Sequence, residues 1–210
     1  MGTIITEWDA GKSICGHLLA NIQMAVEKLS EIQSFFGFDG WLINIENTLE
    51  VDQIPKMINF VSQLKSKCGI VVWYDAVTID GELKWQNGLT VKNKPFFDVA
   101  SGIFTNYTFK EEHLIRSKDI AGDRSFDVFA GVDVFGRGTF GGGELDTWKS
   151  IKGNIYYKTN QISISIKLQS QIIKIAQSSH QVGFSRRKNI IIRSNFGVKL
   201  KTNLHLKINL

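Results

Sequence analysis

The sequence has few cysteines and no long apolar run, and each shortage excludes a class of protein. Its 210 residues include two cysteines, Cys15 and Cys68, too few for a disulfide-rich secreted scaffold and without the spacing of metal ligands. No apolar run approaches the roughly 20 residues that a membrane-spanning helix needs. The N-terminal segment lacks the basic and apolar regions of a signal peptide. We therefore expect a cytosolic protein with reduced cysteines, no metal site and no cofactor.

Acidic side chains are missing from the last part of the chain. All 20 Asp and Glu residues precede position 151, as do 14 of the 25 Lys and Arg residues, whereas residues 151–210 contain the other 11 basic residues. This break predicts one domain over residues 1–150 and a basic, Ile/Lys/Asn-rich tail of irregular structure over residues 151–210. Two short runs of the tail, Ile162–Ile166 and Asn189–Ile192, alternate like strands.

The spacing of apolar residues predicts strands that alternate with helices over the first 150 residues. Five strands are predicted, near Gly2–Trp8, Gly40–Glu46, Gly69–Asp75, Gly102–Tyr107 and Asp127–Phe135. Helical spacing from Ile14 to Ile32 predicts one helix that stops at Gly37. A second helix is predicted to begin after Asp52, which would cap it, and a third to cover Glu111–Ala121. Such alternation is typical of a parallel sheet.

The predicted strand Gly40–Glu46 is the most informative segment, because its two faces differ. Successive side chains of a strand alternate, so Asn44 and Glu46 share the face of Leu42. The opposite face carries three apolar residues, Trp41, Ile43 and Ile45. An apolar back and a front that becomes polar at its C-terminal end are typical of a barrel strand. The sequence therefore predicts an α/β fold, a partial (β/α)8 TIM-type barrel with about five recognisable βα units.

Five short motifs follow one another along this domain. They are FDGWLINIEN at Phe38–Asn47, VVWYDAV at Val71–Val77, LKWQ at Leu83–Gln86, FTNYTF at Phe104–Phe109 and AGVDVFGRG at Ala130–Gly138. Together with the opening GTIITEWDAGKSIC they resemble, in order and spacing, glycoside hydrolase family 85, the cytosolic endo-β-N-acetylglucosaminidases. The resemblance covers roughly residues 2–150. It implies hydrolysis of the β-1,4 bond between the two GlcNAc units in the core of N-linked glycans.

The same resemblance implies a mechanism and three catalytic residues. In the family the reaction is retaining and assisted by the substrate, whose 2-acetamido oxygen attacks its own anomeric carbon, so that one carboxylate suffices. By position in the motifs, Glu46 would be the general acid and later the general base. Asn44 would hold the acetamido group and accept from its N–H. Tyr74 matches the tyrosine that hydrogen-bonds the acetamido oxygen.

Four further residues are candidates for substrate binding. Trp85 matches an aromatic residue that lines the sugar site, where a flat ring can stack on a pyranose. Asn106 and Asp133 end neighbouring predicted strands and are candidates for contacts with sugar hydroxyls. Phe109 stands where tryptophan is common in the family, so it keeps an apolar contact and loses the indole hydrogen bond. A purely structural role remains the alternative for Tyr74 and for the first three of these residues.

Relative to the family, the chain begins at what resembles the third barrel strand and ends without the closing strands, so three hypotheses stay open. The first is an enzyme that acts on N-glycans of glycoproteins or glycopeptides and on free oligosaccharides. The second is an inactive remnant with residual glycan binding, because an open sheet leaves strand edges unpaired and a site imprecise. The third is a basic tail that attracts nucleic acid or anionic membrane. Because the tail has no recognition motif, we predict neither of these as a partner.

Overall fold

The computed structural model describes residues 1–133, 135–136 and 138–156 of the chain. The strand-like runs at Ile162–Ile166 and Asn189–Ile192, and the basic tail from residue 157 onward, lie outside the described residues. The domain boundary at residue 150 therefore stays a prediction.

Five parallel strands form one sheet. Their bounds are β1 Gly2–Glu7, β2 Gly40–Glu46, β3 Ile70–Tyr74, β4 Gly102–Thr105 and β5 Val128–Ala130. Each strand pairs with the next one along the chain. Parallel strands in chain order with helical crossovers are the arrangement of a (β/α)8 barrel. The predicted α/β fold, a partial TIM-type barrel, is confirmed.

Six α-helices accompany the sheet in the part of the chain that the structure describes. Their bounds are α1 Trp8–Ala20, α2 Ile22–Phe36, α3 Gln53–Cys68, α4 Lys94–Val99, α5 Glu111–Ala121 and α6 Thr147–Tyr156. The predictions for α3 and α5 are confirmed. Gly37 ends α2 with a φ of 69°, in the left-handed region that glycine adopts without a steric cost. No helix among the described residues is long and apolar enough to cross a bilayer.

The single helix predicted between β1 and β2 is in fact two helices. Asn21 separates α1 from α2 with φ −136° and ψ 51°, which no helix can include. The break has a packing reason, because α1 contacts β1 and β2 whereas α2 contacts mainly α3. Two apolar residues on which the prediction rested remain largely outside the core, Ile14 at 53% and Ile32 at 41% exposure.

Two other local predictions need correction, and one short helix was not predicted. The last strand ends at Ala130 rather than at Phe135, and the chain turns after Asp133, whose carbonyl oxygen accepts from the backbone N–H of Gly136 at 3.0 Å. Asp52 stands at the N-cap of α3, but its side chain makes no capping hydrogen bond. The short helix α4 was not predicted, because its six residues are too few to show a helical period.

The two faces of the sheet differ sharply in burial. The outer face packs against the helices, and its residues Ile43, Ile45 and Trp73 are fully buried in the main core. The opposite face, here called the lumen face, carries Ile5, Leu42, Asn44, Glu46 and Tyr74. Ile5 is 54% exposed there, and the others are half-buried. The apolar outer side and the polar end of the lumen face of β2 agree with the predicted alternation.

Candidate active site

Asn44 and Glu46 lie two positions apart on the lumen face of β2, at the carboxyl end of the strand. Both are half-buried. In the parallel register Asn44 is opposite Ile5 and Glu46 is opposite Glu7, so the ends of β1 and β2 present side chains to the same space. The carboxyl ends of barrel strands are where TIM-type proteins hold their chemistry.

The carboxamide oxygen of Asn44 is buried and has no hydrogen-bond partner among the described residues. An unpaired buried acceptor costs about 1–3 kcal/mol, so it calls for a donor that the described residues do not supply. Because this oxygen is buried, Asn44 would present an acceptor to a ligand in the lumen after its amide rotates by half a turn, which exchanges oxygen and nitrogen.

Tyr74 ends β3 on the same face, and its hydroxyl donates a hydrogen bond to Oδ1 of Asn106 at 3.2 Å. Burial raises the pKa of Tyr74 well above its ordinary value, and the negative charges of Glu46 and Asp75 raise it further. The phenol therefore remains a neutral donor throughout the physiological pH range. In the parallel register of β2 with β3, Ile43 is opposite Trp73, so Tyr74 follows on the face that carries Asn44 and Glu46.

Asn106 is fixed by a small polar network at the end of β4. Its amide nitrogen donates to Oδ1 of Asn87 at 2.8 Å and to the hydroxyl oxygen of Thr108 at 2.9 Å. With its nitrogen engaged in this way, Asn106 has its oxygen directed at Tyr74. The contact with Tyr74 gives Asn106 a structural role beside any contact with a ligand.

Asp75, directly after Tyr74, was missed by the sequence analysis. It is 1% exposed, and both of its carboxylate oxygens accept from the backbone N–H of Gln86 at 3.2 and 3.1 Å. Nδ2 of Asn93 donates to one of these oxygens at 2.8 Å. Burial raises the pKa of Asp75 to about 7, and the hydrogen bonds of Asn93 and of three backbone N–H groups oppose the rise. Asp75 thus holds the loop that carries Trp85.

Trp85 lies in that loop, 39% exposed, beside the Tyr74 hydroxyl. It lines an open groove of about 310 Å³ together with Glu46. Sequence reasoning had no means of bringing these two residues together except the family resemblance, because they are far apart in the chain and on different elements.

The remaining two candidates lie elsewhere. Phe109 is 1% exposed and stacks on Phe140 with ring centroids 5.6 Å apart, inside a second apolar cluster. Asp133, 7% exposed, accepts from the backbone N–H of Phe135 at 3.2 Å in the loop after β5. Of the seven predicted site residues, only Glu46 and Trp85 line the groove, so Phe109 and Asp133 lie outside it, as do Asn44, Tyr74 and Asn106. The roles of Phe109 and Asp133 in substrate binding stay predictions, without support from this arrangement.

Metal binding has no visible basis in residues 1–133, 135–136 and 138–156, where no group of three His, Cys, Asp or Glu side chains is placed to hold an ion. Both cysteines are buried and free. The chemistry available at the end of β2 is therefore that of a carboxyl group, an amide, a phenol and an aromatic ring.

The parallel sheet and its polar strand ends define the class of protein, an α/β barrel-type domain with a site at the carboxyl edge of the sheet. The family model of glycosyl hydrolase family 85 matches residues 1–201. The chain belongs to that family.

Similarity to individual proteins points the same way. The chain is 50% identical over 175 residues to cytosolic endo-beta-N-acetylglucosaminidase 1 of Arabidopsis thaliana, covering 79% of this chain and 25% of that protein. It is 45% identical over 162 residues to the human cytosolic endo-beta-N-acetylglucosaminidase, covering 72% of this chain and 22% of that protein. The chain thus spans about a quarter of the length of these curated relatives.

Among solved structures, the glycoside hydrolase domain of Endo-D from Streptococcus pneumoniae R6 superimposes with a TM-score of 0.58 at 24% identity. The match covers 65% of this chain and 25% of that one. At this identity the likeness concerns the fold alone, and it agrees with the barrel-type sheet.

Proposed function

We propose that this protein is an endo-β-N-acetylglucosaminidase that hydrolyses the β-1,4 bond between the two core GlcNAc residues of N-linked glycans. Its substrates would be N-glycans of glycoproteins or glycopeptides and free oligosaccharides. The setting would be the cytosol, as the names of its relatives suggest.

The observation that carries the proposal is the pairing of Asn44 and Glu46 on one face at the end of β2. Family membership supports the reaction class. Tyr74, a neutral phenol on the lumen face at the end of β3, supplies a hydrogen-bond donor, and Trp85, on the groove beside Glu46, supplies a stacking surface. These groups match the needs of a glycosidase that has one catalytic carboxyl group.

In the proposed mechanism the substrate provides the nucleophile. The acetamido carbonyl oxygen forms a bond to the anomeric carbon, the glycosidic C–O bond breaks, and Glu46 gives its proton to the leaving oxygen. The resulting Glu46 carboxylate then takes a proton from water. The water oxygen attacks the anomeric carbon, and the ring of the oxazolinium intermediate opens. Two displacements at one carbon give net retention of configuration.

Asn44 and Tyr74 would act on the acetamido group during the first step. The rotated Asn44 amide would accept from the acetamido N–H, which becomes more acidic as positive charge develops, and it brings no competing negative charge. The Tyr74 phenol would turn its one O–H from Asn106 to the acetamido oxygen and orient this oxygen toward the anomeric carbon.

Turnover of a purified glycopeptide with an intact core disaccharide tests the proposal. We expect release of the glycan, and a fall of at least about 100-fold for Glu46→Gln, the usual weight of a general acid. Glu50→Gln, which changes an exposed carboxylate in the following loop, is the matched control and should keep the parent activity. Full activity of Glu46→Gln would contradict the assignment.

A substrate analogue tests whether the nucleophile comes from the substrate or from the protein. If the substrate supplies the nucleophile, replacing its 2-acetamido group by a hydroxyl group abolishes turnover. A protein carboxylate acting as nucleophile would still cleave this analogue.

A non-catalytic glycan-binding protein is the second candidate, and one observation favours it. The lumen face of β1 is open at Ile5, whose side chain is 54% exposed. Binding of the glycopeptide without turnover, unchanged in Glu46→Gln, would support this candidate.

A further inference from the structure

The groove beside Glu46 has a second aromatic residue that the family motifs did not single out. Its lining includes Glu7 and Trp8 from the junction of β1 and α1, in addition to Glu46 and Trp85. The two indole rings therefore come from elements that are distant in sequence and border the same space. A volume of about 310 Å³ is at the lower end of the range for ligand pockets, which suits a single sugar ring.

Trp8 has an unusual backbone conformation for so large a residue. Its φ is 58°, in the left-handed region, and its side chain is 82% exposed. A bulky residue pays a steric cost in this region, and such strained residues cluster at ligand-binding sites. Core packing does not explain Trp8, because most of its surface contacts solvent.

The start of α1 is nevertheless held firmly against the end of β2. A Cβ atom at Gly11 would overlap the carboxamide oxygen of Asn47, the residue directly after Glu46. The buried Cys15 thiol, one turn further along α1, lies 3.5 Å from the hydroxyl of Thr6 and 3.9 Å from the same Asn47 oxygen. This close packing fixes the first turn of α1, and with it Trp8, relative to Glu46.

The charges around the groove define which sugars it suits. Three carboxylates, those of Glu7, Asp9 and Glu46, line it with one cation, Lys12, whose ammonium lies 3.4 Å from Asp9. Carboxylates accept hydrogen bonds from sugar hydroxyls and repel anionic sugars. The rim therefore favours an uncharged hexose or N-acetylhexosamine.

We propose that Trp8 and Trp85 form a subsite for one neutral sugar ring next to Glu46, with Glu7 as a hydrogen-bond acceptor on its rim. Flat indole faces suit the apolar face of a pyranose. The subsite rests on the proposed function for its place next to the cleaved bond, but it binds sugar whether or not cleavage occurs.

Equilibrium binding of the neutral disaccharide N,N′-diacetylchitobiose to the full chain tests the subsite, with Glu46→Gln as the background so that turnover cannot interfere. Titration calorimetry should show binding that weakens about tenfold in Trp8→Ala, as expected for the loss of one stacked ring. Trp148→Ala, which removes another exposed tryptophan outside the groove, is the matched control and should bind like the background protein. Trp8→Phe, which keeps a flat ring, should retain most of the affinity.

Two further variants separate a binding role from a structural one. Trp8→Gly relieves the left-handed strain, so its thermal unfolding midpoint should rise while its affinity falls. The protein should bind N,N′-diacetylchitobiose more tightly than a disaccharide that carries a glucuronate carboxylate. Glu7→Gln should make the difference between these two affinities smaller.

The outcomes distinguish this proposal from the proposed function. Equal affinity of Trp8→Ala and Trp148→Ala, or no binding of the disaccharide by the background protein, would overturn the subsite. If the parent chain shows no turnover but its binding of the disaccharide depends on Trp8, the proposed enzymatic function is wrong and the subsite stands.

Discussion

Trp73 and Tyr74 are neighbours on β3, but their side chains enter different surroundings. Trp73 is fully buried on the outer face and stacks on Phe96 with ring centroids 4.2 Å apart. Tyr74 is on the lumen face, where it donates to Asn106 and is influenced by the charge of Glu46. The outer face contributes burial of apolar area, and the lumen face keeps polar groups available. Adjacent residues can therefore be expected to affect different properties.

The largest expected effect is on the outer face. Trp73→Ala should lower the free energy of unfolding by about 3–5 kcal/mol, because it removes a fully buried ring and leaves a cavity. Urea titration followed by circular dichroism measures this change. Ile5→Ala, on the exposed lumen face of β1, should cost much less. Equal decreases in the free energy of unfolding of the two variants would show that the two faces contribute equally to stability.

Asp75 should make stability depend on pH, because its pKa of about 7 in the folded chain exceeds the ordinary value of 3.8. The folded state then holds its proton more tightly than the unfolded state. The contribution is fully present below pH 3.8 and is lost as the pH rises through 7, by on the order of 4 kcal/mol.

Unfolding measured at several pH values for the parent and for Asp75→Asn isolates this contribution. The parent should lose more stability than the variant between pH 4 and pH 7. Parallel curves would show that the hydrogen-bond donors around Asp75 keep its pKa near the ordinary value.

Gly11→Ala tests the contact that holds α1 against β2. The added methyl group would overlap Asn47, so the free energy of unfolding should fall by about 2 kcal/mol, as in other overpacked sites. Gly16→Ala is a matched control in the same helix. A Cβ atom there meets nothing within 4 Å, so this change should stabilise the helix by about 0.5–1 kcal/mol. A Gly11→Ala variant as stable as Gly16→Ala would contradict the close packing.

The smallest expected effect is that of Tyr74→Phe. Removing one hydroxyl group should reduce turnover of the glycopeptide about tenfold, the value of one hydrogen bond of about 1.4 kcal/mol, and lower the free energy of unfolding by about 1 kcal/mol through the lost hydrogen bond to Asn106. Steady-state kinetics and thermal unfolding measure the two properties. A large loss of stability without a kinetic effect would assign Tyr74 to the core.

Much of this arrangement is encoded locally. Alternation along Gly40–Glu46 predicted which residues of β2 face the helices and which share a face with Glu46, because a strand has a period of two. Apolar spacing predicted α3 and α5, and Gly37 predicted the end of α2. Local sequence signals specify element type and face, since both depend on neighbouring residues.

Other features depend on contacts between distant residues. The break at Asn21 follows from the different packing partners of α1 and α2, and β5 is shortened because the chain turns after Asp133. The importance of Asp75 depends on donors from a loop that no periodicity describes.

The sequence by itself determined the order of strands and helices and the pairing of Asn44 with Glu46 on one face, because backbone geometry fixes both over a few residues. Only the tertiary structure decided that Trp8 and Trp85 border the groove beside Glu46 and that the Asn44 oxygen is buried. The physical reason is that such positions result from parallel register and from helix packing, which bring together groups that are far apart in the chain.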